Sequence, residues 1–215
     1  MENEPDTLLK PNLAGLQSQI RLIDPVGYST NQPPSGRHIR IFVHGVFDLF
    51  HTGHVQFLEI AKTMFPNTHV IVGVTTDADT IRVKGPPVIS AVDRARVVRG
   101  CKHVDEVIEN CEPVLTPEFM ETYNIDYFAH ADTSDLPLAP DPYRFVKEQG
   151  KFLVIPRVKE WGSTTNIISQ LIRNRDEYVL RQLKNGALRK DMDISWLKHQ
   201  CIKMRVYLLS KKDNM

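Results

Sequence analysis

The sequence predicts an α/β fold, a doubly wound and mostly parallel sheet with helices on both faces. Short β-branched runs recur along residues 38–186, helical patterns separate them, and the first run ends in a turn rich in glycine and histidine that opens a helix. Strands joined by connections of helical length cannot pair as hairpins. They pair in parallel through right-handed crossovers.

The strand candidates, in order, are Ile39 to Val43, His69 to Val74, Val104 to Ile108, Tyr127 to Ala129 and Phe152 to Ile155. Each is short, rich in β-branched or aromatic residues, and bounded by polar or turn-forming residues. Helices between them carry start and stop signals: Ser90 with Asp93 forms a capping-box-like pair, and Thr116-Pro117-Glu118 places a cap before a first-turn proline. Gly150 closes a helix running from about Asp141. The expected order is β-α-β-α-β-α-β-α-β. Residues 1–37 are polar and punctuated by Pro5, Pro11, Pro25 and Pro33-Pro34-Ser35-Gly36, which reads as a mobile arm and linker. Residues 38–186 then form one domain, and 187–215 a short basic extension.

Bulk properties narrow the function. With 215 residues, 41% hydrophobic and 25% charged, there is enough chain for one sizeable core. A net charge of +1 disfavours nucleic acid as a partner. Cys101, Cys111 and Cys201 are an odd set without a CxxC pair, which suits free thiols in a reducing compartment. The N-terminus lacks a basic region followed by an apolar run, and no stretch is long enough to span a bilayer, so a cytoplasmic protein is expected.

The chemistry concentrates after the first strand, in His44-Gly45-Val46-Phe47-Asp48-Leu49-Phe50-His51-Thr52-Gly53-His54, followed by a helical pattern to Lys62. This places His-x-Gly-His at a helix N-terminus on the edge of the sheet where ligands bind. Unpaired backbone N–H groups and the helix dipole favour an anion there, and two imidazoles add donors for phosphate oxygens. Gly53 permits close backbone approach. Asp48 is expected to bond nearby loop amides. A zinc site lacks a third ligand at suitable spacing. Lys84, in the polar Lys84-Gly85 loop after the second strand, would bring an ammonium to the same edge from the opposite side.

These residues, with Phe65-Pro66-Asn67-Thr68, Ile71-Val72-Gly73-Val74, Val104-Asp105-Glu106-Val107, Leu115-Thr116-Pro117-Glu118-Phe119, Tyr143, Lys147-Glu148-x-Gly150 and Ser163-Thr164-Thr165, closely resemble the catalytic domain of phosphocholine cytidylyltransferases. The resemblance runs in matching order over roughly residues 38–186 and implies a Rossmann-like nucleotidyltransferase of the HxGH type. It further implies attack by the phosphate of phosphocholine on the α-phosphorus of CTP, with Mg²⁺ assisting and pyrophosphate leaving. By the same resemblance His51, His54 and Lys84 are catalytic. Val46 and Phe47, together with His54, Lys84, His130, Arg157, Ser163 and Thr164, bind the nucleotide. Tyr143 and Lys84 contact the phospho-alcohol, and the resemblance implies a homodimer through Val104-Asp105-Glu106 and the residues before the first strand.

The sequence departs from the family pattern at several positions. Val158 replaces a signature arginine, with Arg157 beside it, and Lys102 replaces another. Where the family places an aromatic, a carboxylate and a tyrosine around the headgroup stand Pro113, Ala131 and Asp135. Asp132 and Asp135 offer acceptors, so phosphoethanolamine or another phospho-alcohol is an alternative substrate. An ATP-using adenylyltransferase and a catalytically inactive homologue acting as a binding partner are further alternatives. In the basic extension, Ile194, Leu197, Cys201, Met204 and Leu208 recur at helical spacing. That stripe is expected to pack against the domain or a dimer partner, with weak or no contact with a membrane surface.

Overall fold

The computed structural model describes residues 28–112, 115–131, 141–156 and 162–212, with side chains described as far as Tyr207. Five strands form one sheet: β1 (Ile39–Gly45), β2 (Thr68–Thr75), β3 (Glu106–Cys111), β4 (Tyr127–Ala131) and β5 (Phe152–Ile155), ordered β3-β2-β1-β4-β5 and parallel throughout. The central strand β1 carries Ile41, Phe42 and Val43 in succession, all buried, as a strand covered on both faces requires. Along the chain the sheet grows from β1 through β2 to β3, then turns back to β4 on the other side of β1. The crevice between the C-terminal ends of β1 and β4 is therefore the switch point at which open α/β sheets bind ligands.

Two cores sandwich the sheet. One gathers Ile41, Val43, Val70 and Val72 with Leu58 and Ala61 of α1 (Thr52–Thr63) and Ala95 and Val98 of a later helix. The other gathers Phe42, Ile71 and Phe128 with Met120 and Val146 from the helices flanking β4. The alternation of side chains along β1 explains the division: odd-numbered residues face one layer and even-numbered residues the other.

The second crossover holds two helices where the sequence reading placed one, α2 (Asp77–Lys84) and α3 (Ala91–Arg99). Lys84 is thus the last residue of a helix and does not lie in a loop. The signal for α2 was present: Thr76 caps the Asp79 N–H, Asp77 and Asp79 occupy the first turn, and Arg82 and Lys84 the last, matching the helix dipole at both ends. Gly85, at φ 96, ends it in a conformation that glycine tolerates best. The third strand also starts later than expected. Asp105 is occupied elsewhere, accepting from Val70 N at 2.7 Å and pairing with Lys62 at 2.6 Å. Next come α4 (Pro117–Thr122), capped by Thr116, and α5 (Arg144–Glu148).

The segment read as the end of a mobile arm is tied to the sheet. Asn31 N donates to Gly150 O at 2.8 Å, its side chain donates to Gln149 O at 2.7 Å, and its carbonyl accepts from the Tyr127 hydroxyl at 2.7 Å. Gly150, at φ 67, meets the Asn31 side chain so closely that an added Cβ would lie 2.6 Å from Oδ1.

The chain divides into two compact units between Gly162 and Ser163, where the sequence reading continued the domain to 186. The second unit contains α6 (Thr164–Arg173), α7 (Arg175–Lys184), a short 3₁₀ turn and α8 (Trp196–Lys212). Its small core joins Val179 of α7 to Ile194 and Ile202. The anticipated stripe is not the buried one: Leu197 is 70% and Met204 65% exposed, and Cys201 is exposed. Asp193, at a left-handed φ of 50, ends the 3₁₀ turn, and the helix begins only at Trp196, so Ile194 does not share its phase.

Candidate active site

The mouth of α1 is closed by its own histidines. His51, in extended backbone, is the N-cap: its Nδ1 accepts from Gly53 N at 3.1 Å, while His54 Nδ1 accepts from His51 N at 3.3 Å. A capping box built from two imidazoles fixes their tautomers. A nitrogen that accepts cannot carry the ring proton, so each neutral ring has its N–H at Nε2. The rings stack at 3.8 Å between centroids, and Phe47 and Phe50 pack on His54. Burial, with lesser contributions from His51 and Lys84, draws the His54 pKa down to about 3. His54 is therefore a neutral donor at pH 7. Gly53 is required here, because an added Cβ would lie 2.9 Å from both Gly162 O and the His51 ring.

The loop ahead of α1 is held by two groups. Asp48 behaves as expected: Oδ1 accepts from Ile89 N at 3.0 Å and Leu49 N at 3.1 Å, and Oδ2 from Val88 N at 2.8 Å. Arg94, which sequence reasoning missed, has a fully buried side chain. It donates to Ile89 O and Thr75 O, each at 3.0 Å, to the Val46 carbonyl, and to Asp77 Oδ1 at 2.7 Å. The carbonyl of Val46 is therefore occupied within the protein. Phe47 and Leu49 take positive φ values of 54 and 47, strain that these anchors hold in place. A cavity of about 310 Å³ behind the loop is lined by Phe47, Leu49, Phe50, Ile89, Arg94 and Val97; neither histidine nor Lys84 lines it.

On the other face of β1, His44 and His130 end β1 and β4 side by side, since Val43 pairs with Ala129 one position earlier. His130 Nδ1 donates to Ala131 O at 2.7 Å, so Nε2 is the acceptor and the Tyr143 hydroxyl donates to it at 3.0 Å. Tyr143 stacks on Phe152 and packs against Phe128. His44 hydrogen-bonds the Cys111 backbone, across Gly73 in the intervening strand. Its Nε2 is buried and has no hydrogen-bond partner among the described residues. Burial lowers the pKa of both His44 and His130, and the Lys84 charge lowers both further. The same ammonium acts on His54. Lys84 thus lies in electrostatic reach of the imidazoles on both sides of β1.

His51, His54, Lys84, His130 and Tyr143, all named from sequence, belong to this edge of the sheet, as do Val46 and Phe47. Arg157, Asp132 and Asp135 lie outside the described residues. Ser163 caps α6, accepting from Asn166 N at 3.1 Å, and Thr164 begins that helix; both belong to the second unit. His44 was missed although it immediately precedes the glycine of the motif. Its signal was a polar residue ending a strand that is otherwise apolar at every central position. Among the described residues no group of three His, Cys, Asp or Glu is arranged to hold a metal ion, and no helix is long and apolar enough to cross a membrane.

Comparison with known proteins agrees with this geometry. The chain is 43% identical over 198 residues to a probable choline-phosphate cytidylyltransferase of Schizosaccharomyces pombe, covering 90% of this chain and 54% of that protein. It is 40% identical over 194 residues to the choline-phosphate cytidylyltransferase of Saccharomyces cerevisiae, covering 90% and 46%. An ethanolamine-phosphate cytidylyltransferase of Dictyostelium discoideum is 36% identical over 145 residues, covering 67% and 38%. The chain spans about half the length of the choline-phosphate relatives it matches. The cytidylyltransferase-like family model matches residues 42–175, from the middle of β1 to the start of α7. A match that takes in the five strands, the histidine-capped helix and Lys84 makes this chain a member of the cytidylyltransferase-like family.

Proposed function

We propose that this protein transfers CMP from CTP to phosphocholine, forming CDP-choline and pyrophosphate. The observation that carries the proposal is the pair of tautomer-fixed imidazoles at the N-terminus of α1, each with its N–H on Nε2, in the field of Lys84. Donors of this kind suit a triphosphate, whose oxygens only accept. Names of relatives at 38–43% identity support phosphocholine as the partner substrate.

In this reading a phosphocholine oxygen attacks the α-phosphorus of CTP and forms a new P–O bond. The bond from the α-phosphorus to the bridging oxygen breaks, and pyrophosphate departs with the electron pair. No covalent enzyme intermediate is required. The protein aligns two anions and stabilises the transferring group, tasks for donors and cations more than for a base. His51 and His54 donate to the triphosphate, Lys84 bridges the two substrates' phosphates, and His130, oriented by Tyr143, borders the switch crevice. Arg157, Ser163 and Thr164 are proposed to complete the nucleotide site. Mg²⁺ enters with CTP as part of the substrate and screens its charge.

Phosphoethanolamine is a second reading, favoured by Ala131 where the family places a carboxylate and by Asp132 and Asp135 nearby in sequence. A homodimer in the cytoplasm completes the proposal. Pyrophosphate release, assayed with CTP or ATP against each phospho-alcohol, tests the activity. Turnover dependent on CTP and abolished in His54→Ala supports it. Turnover with ATP alone points to an adenylyltransferase, and calorimetry without CTP binding to a non-catalytic partner.

A further inference from the structure

The orphaned nitrogen of His44 has a chemical sense. The ring hydrogen-bonds the Cys111 backbone in a way that raises its pKa, which makes it a donor to the carbonyl. Nε2 has no such partner, so the donating nitrogen is Nδ1 and Nε2 presents a lone pair. A buried acceptor left unpaired is costly and calls for a donor from a ligand. Phosphate oxygens cannot supply one. In the CMP-transfer reading the triphosphate is held at α1, on the opposite face of β1, whereas His44 shares its face with His130, Phe42 and Phe128. The Lys84 charge acts on the imidazoles of both sides, so in the proposed reaction, where it bridges the two substrates' phosphates, the molecule on the His44 side is the phospho-alcohol.

We propose that His44 Nε2 accepts a hydrogen bond from the ammonium N–H of the phospho-alcohol headgroup. The site then takes phospho-alcohols bearing a primary or partly methylated ammonium in addition to phosphocholine, and binds them through a bond that a quaternary ammonium cannot make. Gly73, opposite His44 in the β1–β2 register, is part of the arrangement: its missing side chain leaves the space that Phe42 and Cys111 fill beneath the ring. A neutral imidazole also suits a cationic headgroup better than a charged one would, and burial keeps His44 neutral at pH 7.

This inference rests on the CMP-transfer reading, and one experiment separates the two. Pyrophosphate release is measured with phosphoethanolamine, its N-methyl and N,N-dimethyl derivatives, and phosphocholine, in the full chain and in His44→Phe and His44→Gln. The expected result is a break in kcat/KM between the dimethyl and quaternary compounds, because protonated dimethyl-ammonium keeps one N–H. In His44→Phe the ratio of phosphoethanolamine to phosphocholine kcat/KM falls about tenfold or more, as expected for a lost charge-assisted bond. His44→Gln, which keeps an acceptor, recovers part of that ratio. A smooth trend through the four compounds, or a ratio unmoved by His44→Phe while the others turn over, overturns the inference and leaves the transfer reading standing. A raised KM for CTP with an unmoved headgroup ratio assigns the nitrogen to the nucleotide and likewise overturns it. Silence with every headgroup overturns the transfer reading and this inference with it.

Discussion

His51 and His54 cap the same helix turn, the His51 ring accepting from Gly53 N and the His54 ring from His51 N, and their ring centroids lie 3.8 Å apart. Substituting either therefore removes a donor and also disturbs the one that remains. His54→Ala is expected to lower kcat/KM by about 10² to 10³, the usual effect of losing one well-placed donor to a developing charge. The double variant should cost less than the product of the two single losses. Additive losses in the pyrophosphate assay would show the rings acting independently.

The buried histidines set a direction for stability with pH. His54 has a folded pKa of about 3 against an ordinary value of 6.5, and those of His44 and His103 are also lowered, chiefly by burial. Below pH 6.5 the unfolded chain takes up protons that the folded protein resists, so stability falls progressively toward pH 3. Urea midpoints between pH 8 and pH 4 should decline below about 6.5. His54→Asn, with no titrating ring at that position, should flatten the decline.

Arg94 is a buried cation that holds three backbone carbonyls and a carboxylate. Arg94→Ala leaves those carbonyls without their donor, and at about 1–3 kcal/mol for each orphaned buried acceptor should cost several kcal/mol in chemical denaturation. Arg94→Lys retains the charge but cannot reproduce a planar fork, so it should fall between the two. Because Val46 is one of the anchors, activity should drop in Arg94→Lys even where the protein remains folded.

Tyr143→Phe removes the hydroxyl that donates to His130 Nε2. That bond favours the neutral ring, so its loss should raise the His130 pKa, readable in the imidazole resonances by NMR titration. An unchanged pKa would mean the contact is dispensable. The KM for the phospho-alcohol, which Tyr143 is proposed to contact, should rise several-fold.

Much of this architecture was legible because the local signals were strong. Apolar strands such as Phe42–Val43 flanked by turns, and a helix opened by His51 and His54, are readable from spacing alone. The errors occurred where a tertiary partner decides the outcome. Helix α2 was missed although Thr76 and Asp79 announce it, because its residues are mostly polar and only Thr80 is buried. Arg94 drew no reading, because nothing in its neighbourhood in sequence reveals that Val46 and Thr75, distant in the chain, converge on it. Asn31 looked like part of a linker for the same reason, its partners being Gln149, Gly150 and Tyr127. In the second unit the helical phase was counted from Ile194, which lies ahead of the helix that begins at Trp196, so the stripe continued from it is not the face buried among the described residues.

Asp48 binds Val88 and Ile89 from within the histidine loop, and Lys84 lies only a short stretch upstream of that tether. The length of the Gly85-Pro86-Pro87 bridge therefore decides how far the ammonium can stray from the imidazoles. A single residue inserted there would leave every side chain of the site intact and yet detune it, whereas insertions elsewhere on the surface should pass unnoticed. Two prolines stiffen that span, so the helix end that carries the lysine is held at a fixed reach from the histidine loop.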